Sequence, residues 1–132
     1  FSINAKNSLT VSFLSFGFRN GVPRDADFVV DVRVLRNPYW NVELREKSGN
    51  SRAVYDYVIE DRVTKEYLKK LKPYLDFVIE TYKTDTKHHL TVAIGCTGGQ
   101  HRSVSIANWL TRAYRGELQV YVNHRDVVEP EV

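Results

Sequence analysis

LTVAIGCTGGQHRSVSIANWL, running from Leu90 to Leu110, passes from an apolar run through a glycine-rich turn into a helical repeat. Its first part, Leu90 to Gly95, is nearly continuously apolar, the pattern of a strand buried on both faces of a parallel sheet. From Arg102 to Arg115 the apolar positions are Val104, Ile106, Ala107, Leu110 and Tyr114, which suits one face of a helix. Between them stands Gly95-Cys96-Thr97-Gly98-Gly99-Gln100-His101-Arg102-Ser103. Glycines in such a turn let the backbone fold tightly and aim successive N–H groups into one concavity. The start of the helix adds a partial positive charge, and Thr97, His101, Arg102 and Ser103 add side-chain donors. The pattern predicts a site for a phosphate or similar oxyanion, held by Cys96, Thr97, Gly98, Gly99, His101, Arg102 and Ser103.

The flanking sequence supplies partners for that strand and helix. Leu9 to Phe16 alternates apolar and polar residues as a strand, and Phe28 to Val34 reads as a second, shorter one. Gly17 to Asp27 is a turn-rich connection, and Leu35 to Gly49 is a long loop of the length that compact domains keep for function. Ser51 to Asp61 is a predicted helix with Ser51 as its cap. Thr64 to Lys83 is a longer amphipathic helix, kinked or restarted at Pro73. Gln119 to Val122 forms a last strand. Strands interleaved with helices imply an α/β fold, with a central, mostly parallel sheet flanked by helices. Residues 1–8 read as a linker or tail and residues 9–132 as a single domain, one piece of a longer protein.

Composition narrows the classes. The 132 residues are 42% hydrophobic and 27% charged, and 19 basic against 16 acidic side chains give +3. That balance suits a soluble domain that tolerates an anionic partner without demanding one. A single cysteine excludes an internal disulfide and fits a reducing, cytoplasmic setting. No apolar stretch approaches the roughly 20 residues of a membrane helix. No Walker phosphate-lysine motif or dinucleotide fingerprint occurs. His88 and His89 read as solvated, and no carboxylate stands at ligand spacing, so neither metal nor cofactor is expected.

A second cluster combines Arg19 with Asp31 and Arg33, polar residues at strand ends, where α/β sheets bind ligands. Asp31 and Arg33 also suit a structural ion pair. Cys96 and Arg102 stand at the spacing of the cysteine-phosphatase loop, in which a thiolate attacks phosphorus and the arginine clamps its oxygens. Gly95 stands where that loop carries histidine, and a small residue at a strand end is the plainer reading of Cys96. Arg19, Arg24, Arg36, His124 and Arg125, in loops and at strand ends, are the candidates for phosphate contacts with RNA.

Taken together, SFGF (Ser15–Phe18), G-x-P-x-DAD (Gly21–Asp27), NP-x-W (Asn37–Trp40) and GCTGG-x-HRSV (Gly95–Val104) closely resemble the C-terminal domain of the RapZ family, bacterial RNase adapter proteins. The resemblance runs from about Leu9 to Asp126. It implies an architecture like a phosphofructokinase subdomain and a Walker-type nucleotide-binding domain preceding this one in cis. It implies an adapter rather than an enzyme: a domain that binds glucosamine-6-phosphate and a small regulatory RNA and presents the RNA to an endoribonuclease. A homo-oligomer is expected. Positions matching the family's sugar-phosphate pocket are Asp31, Cys96, Thr97, Gly98 and Arg102. Tyr39 stands where that pocket uses a histidine, able to donate a hydrogen bond but not to carry a positive charge.

Overall fold

The computed structural model describes residues 9–85 and 88–128; the expected linker, residues 1–8, lies outside them, as do residues 129–132. Four strands, β1 (Thr10–Gly17), β2 (Phe28–Asp31), β3 (His89–Cys96) and β4 (Gln119–His124), form one sheet in the order β2-β3-β1-β4. Every pairing is parallel. Three helices flank it: α1 (Arg52–Ile59), α2 (Arg62–Lys83) and α3 (Arg102–Tyr114). This is the α/β architecture expected of strands interleaved with helices.

Register places the site. β1 and β3 lie side by side from Thr10 opposite His89 to Gly17 opposite Cys96, so both end at the same level. From β1 the chain crosses to β2, beyond β3; from β3 it crosses to β4, beyond β1. The two connections therefore cross the β1–β3 boundary in opposite directions, and the β3–α3 turn lies at the carboxyl ends of the two central strands, the end of the sheet at which α/β folds bind ligands.

Alternation along the strands sets the core. Val11 and Phe13 of β1, with Leu90, Val92 and Ile94 of β3, turn toward the helices and are fully buried. Phe13 stacks on Tyr114 of α3 and Phe28 meets Tyr82 of α2 edge-on, both at 6.0 Å between ring centres. Ile106 and Leu110 of α3 and Leu75 of α2 complete this layer. Each such side chain contributes about 1.5–3 kcal/mol by leaving water. The neighbouring residues Ser12, Leu14, Thr91 and Tyr121 turn to the opposite face and stay partly or largely exposed.

Local chemistry moved several boundaries. β2 stops at Asp31 rather than Val34, because the Asp31 carboxylate accepts the Arg33 N–H at 2.9 Å and turns the chain. Ser51 precedes α1 without a side-chain capping bond. Asp61 caps α2 instead, accepting from the Val63 N–H at 3.1 Å. α2 runs through Pro73 without a restart. Leu68, Leu75, Val78 and Ile79 bury its inner face on both sides of the proline, and that burial offsets the one backbone bond proline cannot make. β4 extends to His124. The long loop holds a 3-10 turn at Pro38–Trp40, capped by Asn37 Oδ1 accepting from the Tyr39 N–H at 3.1 Å.

Candidate functional site

The turn between β3 and α3 is fixed by close backbone contact with the end of β1. A Cβ on Gly17 would lie 2.7 Å from the Gly98 oxygen and 2.8 Å from the Gly99 nitrogen. Gly99 itself sits at φ +80°, and a Cβ there would meet the Gly17 nitrogen at 2.7 Å. Polar contacts pin the turn from other sides. The Arg19 N–H donates to Thr97 O at 3.1 Å, and the Gly49 N–H to Gln100 O at 2.8 Å. Gln100 Nε2 donates to Asp126 O at 2.7 Å, while Asp126 Oδ2 accepts from the Gly17 N–H at 2.8 Å.

Within this frame the amides face no protein acceptor. Among the described residues, no group accepts from the N–H of Gly98, Gly99, Gln100 or His101. The first helical bond of α3 runs from the Ser105 N–H to His101 O at 3.0 Å, and His101 supplies no side-chain cap. The first turn of α3 also contains no acidic residue. The positive end of the helix dipole is left uncompensated by protein groups.

A cavity of about 700 Å³ opens over the turn. Arg19, Arg45 and Arg102 line it, against one carboxylate, Glu46. Tyr39 and Trp40 from the 3-10 turn form another wall, with Thr97 and Gly98 opposite. Arg102 is 6% exposed. Its Nη1 donates to Arg33 O at 2.6 Å and to Leu35 O at 3.3 Å, and its Nη2 reaches Thr97 Oγ1 at 3.3 Å. Its buried Nε has no protein partner among the described residues. Arg45 Nε donates to Tyr39 O at 2.9 Å, and the guanidinium lies over the Tyr39 ring.

His101 Nε2 lies 3.0 Å from Arg45 O, where the protonated nitrogen would donate to the carbonyl. Burial holds this imidazole's pKa below its ordinary value, so it is neutral at neutral pH. The arginines carry the cavity's positive charge. The geometry suits a compact, doubly charged oxyanion, with amides on one side and guanidinium groups on others. Among the described residues no cluster of His, Cys, Asp or Glu could hold a metal, and no helix is long and apolar enough to cross a membrane.

The sequence profile of the family described as "RapZ C-terminal domain" matches residues 9–128. This chain belongs to that family. Similar proteins include a "Nucleotide-binding protein" of Geobacillus thermodenitrificans (strain NG80-2), 43% identical over 127 residues, covering 96% of this chain and 43% of the relative. Another, of Moorella thermoacetica (strain ATCC 39073 / JCM 9320), is 47% identical over 126 residues, covering 95% of this chain and 42% of the relative. The RapZ C-terminal domain described here thus spans less than half the length of these relatives.

Six of the nine residues assigned from the sequence to the oxyanion and sugar-phosphate site line the cavity of this RapZ domain: Tyr39, Cys96, Thr97, Gly98, His101 and Arg102. Three others lie outside its wall. Gly99 packs against Gly17 and Asp126. Ser103 is fully buried and accepts from the Cys96 thiol at 3.2 Å. Asp31 pairs with Arg33 at 2.7 Å, which itself lies over the Phe18 ring. Bonding by Arg33 holds the Asp31 carboxyl below the usual carboxylate range, with the charge of Arg102 adding to it. Sequence reasoning missed Arg45 and Trp40; Arg19, grouped from the sequence with Asp31 and Arg33 at the strand ends and also offered as an RNA contact, lines the cavity. The Asn-Pro start of the 3-10 turn was the available signal for the first two.

Of the other RNA candidates, His124 and Arg125 lie at the end of β4 beside the Arg19–Gly21 segment, while Arg36 packs against α1. Arg24 is exposed. Arg36 lies over the Tyr57 ring at 3.8 Å and near Asp61. His124 Nδ1 meets Ser15 Oγ at 2.7 Å, with Nε2 3.0 Å from Asn108 Oδ1. Arg125 pairs with Asp126 at 2.8 Å and donates to Gly21 O at 2.7 Å. Gly95, where the phosphatase loop has histidine, faces the Phe16 and Phe18 rings; a Cβ would lie 2.5 and 2.6 Å from them. Two aromatic rings occupy the space a histidine would need.

Asp126 carries a pH prediction. The bond from Arg125 holds its carboxyl below the usual range, and the Gly17 N–H adds to this. A depressed folded-state pKa gives stability that is present above the unfolded value, about 4, and lost as pH falls through the lower folded value. Asp126→Asn should therefore lower the urea midpoint at neutral pH, and the gap to wild type should narrow as pH falls below the usual carboxylate range. An unchanged gap would detach Asp126 from acid sensitivity.

Proposed function

We propose that this RapZ C-terminal domain is a non-enzymatic sensor of a phosphorylated small molecule, a sugar phosphate, with the phosphoryl group seated between the Gly98–His101 amides and Arg102. The observation that carries this reading is the set of unpaired amides beneath a cavity lined by three arginines and one carboxylate. Thr97 and Tyr39 supply neutral donors for sugar hydroxyls, and Asp31 stabilises the turn that holds Arg102 through Arg33. Cys96 serves as a small residue beneath the site, its thiol directed to Ser103. A cytoplasmic adapter role follows, in which ligand occupancy governs presentation of a small RNA to an endoribonuclease. Arg19, Arg24, Arg36, His124 and Arg125 are the groups assigned to RNA, with contacts shared between subunits of a homo-oligomer. The relatives' name refers to nucleotide binding; with no phosphate-lysine motif here, we assign that activity to the part of their length preceding this domain.

Calorimetry with glucosamine-6-phosphate, glucosamine and inorganic phosphate tests the reading. The account expects the sugar phosphate to bind best, phosphate weakly and the unphosphorylated sugar least. Equal affinity for glucosamine and its phosphate would overturn it. Release of phosphate from the ligand, abolished in Cys96→Ser, would make the domain an enzyme instead.

A further inference from the structure

We propose that a groove between α2 and α3, separate from the oxyanion cavity, docks an acidic amphipathic helix of a partner protein. The groove encloses about 470 Å³. Leu68, Pro73 and Trp109 line it, and Ile59 at the end of α1 closes one side. The remaining lining residues are lysines: Lys65, Lys69 and Lys72, with no carboxylate among them.

Their spacing is i, i+4, i+7, which sets the three ammonium groups along one side of α2 over about 10 Å. Lys65 has no ion-pair partner among the described residues, and the first turn of α2 holds no acidic residue to balance it. Lys69 lies 3.8 Å from Glu66, with both side chains mostly exposed, so water already competes for that pair. Lys72 is tied more closely, to Asp76 at 3.0 Å and over the Tyr114 ring. An apolar floor with a row of cations along one edge complements a two-turn helix whose leucines enter the groove and whose carboxylates stand one turn apart. RNA would meet the cations and could stack a base only on Trp109, gaining nothing from Ile59, Leu68 and Pro73. The combination favours a protein.

The test uses a fluorescein-labelled peptide of about 15 residues, with leucines on one helical face flanked by glutamates, and a control with lysine for each glutamate. Fluorescence anisotropy with this chain should show binding of the acidic peptide alone. The double variant Lys65→Glu/Lys69→Glu should weaken it at least about tenfold while leaving affinity for glucosamine-6-phosphate unchanged. A separate site is thereby tested independently of the sugar-phosphate reading. No binding, equal binding of both peptides, or indifference to the charge reversal would overturn the proposal. So would loss of structured-RNA binding in the double variant without peptide binding in wild type. In a protein of the relatives' full length, protection of Lys65 and Lys69 from acetylation would assign the groove to packing within the chain and equally overturn it.

Discussion

Gly17→Ala is expected to lower stability by about 3 kcal/mol and to remove oxyanion binding with it, the upper end of what an inserted methyl costs in a tight site. The added carbon would stand against the Gly98 oxygen and the Gly99 nitrogen, both backbone atoms, so no side-chain rotamer can relieve the contact. β1 is central in the sheet, paired with β3 on one side and β4 on the other, and its end cannot move alone. The turn must shift instead, and with it the amides of Gly98 to His101. Gly21→Ala is the control. Gly21 has φ +92° and ψ 144°, a conformation nearly confined to glycine, but nothing within 4 Å of an added Cβ, so the substitution meets backbone strain of about 1–3 kcal/mol without a clash against the turn. Both variants should lose stability in urea unfolding, but only Gly17→Ala should lose binding of glucosamine-6-phosphate, read by calorimetry. Ligand binding retained in Gly17→Ala would mean that the approach of β1 to the turn is not what holds the site.

The second large effect belongs to Arg102. Arg102→Ala should weaken sugar-phosphate binding by about 1.5–3 kcal/mol, roughly ten- to a hundredfold, as for hydrogen bonds to a charged group. It also leaves Arg33 O and Leu35 O without their donor, so stability should fall as well. Arg102→Lys separates the two roles in part, because it keeps the charge but cannot bond both carbonyls and Thr97 with one planar fork. Melting curves with and without ligand distinguish them: wild type should gain stability from the sugar phosphate, and Arg102→Ala should gain far less. An equal ligand-induced shift in both proteins would remove Arg102 from the phosphate site.

The strand–turn–helix at Leu90 to Leu110 was readable because apolar periodicity and glycine placement act locally. The helix faces of α2 and α3 were readable for the same reason. The end of β2 was not, since Val32 to Val34 continue an apolar pattern while the Asp31 side chain turns the chain away. Nor was the continuity of α2 through Pro73, which depends on burial of Leu75, Val78 and Ile79 by distant segments. Part of the cavity wall escaped as well. Arg45 and Trp40 lie in a segment without periodicity, and only the fold brings them over the β3–α3 turn. Conversely, Ser103 looked like a site donor from its neighbours in sequence, yet the first turn of α3 points its hydroxyl inward to Cys96.

The most direct test of the site is a set of backbone amide spectra recorded while glucosamine-6-phosphate is added to isotopically labelled protein. The account predicts that the largest shifts fall on the amides of Gly98, Gly99, Gln100 and His101, with smaller changes around Tyr39 and Arg45. It also predicts that these shifts need at least about tenfold more ligand in Arg102→Ala, measured where that variant is still folded. Shifts concentrated elsewhere, or unaltered by the loss of Arg102, would contradict it.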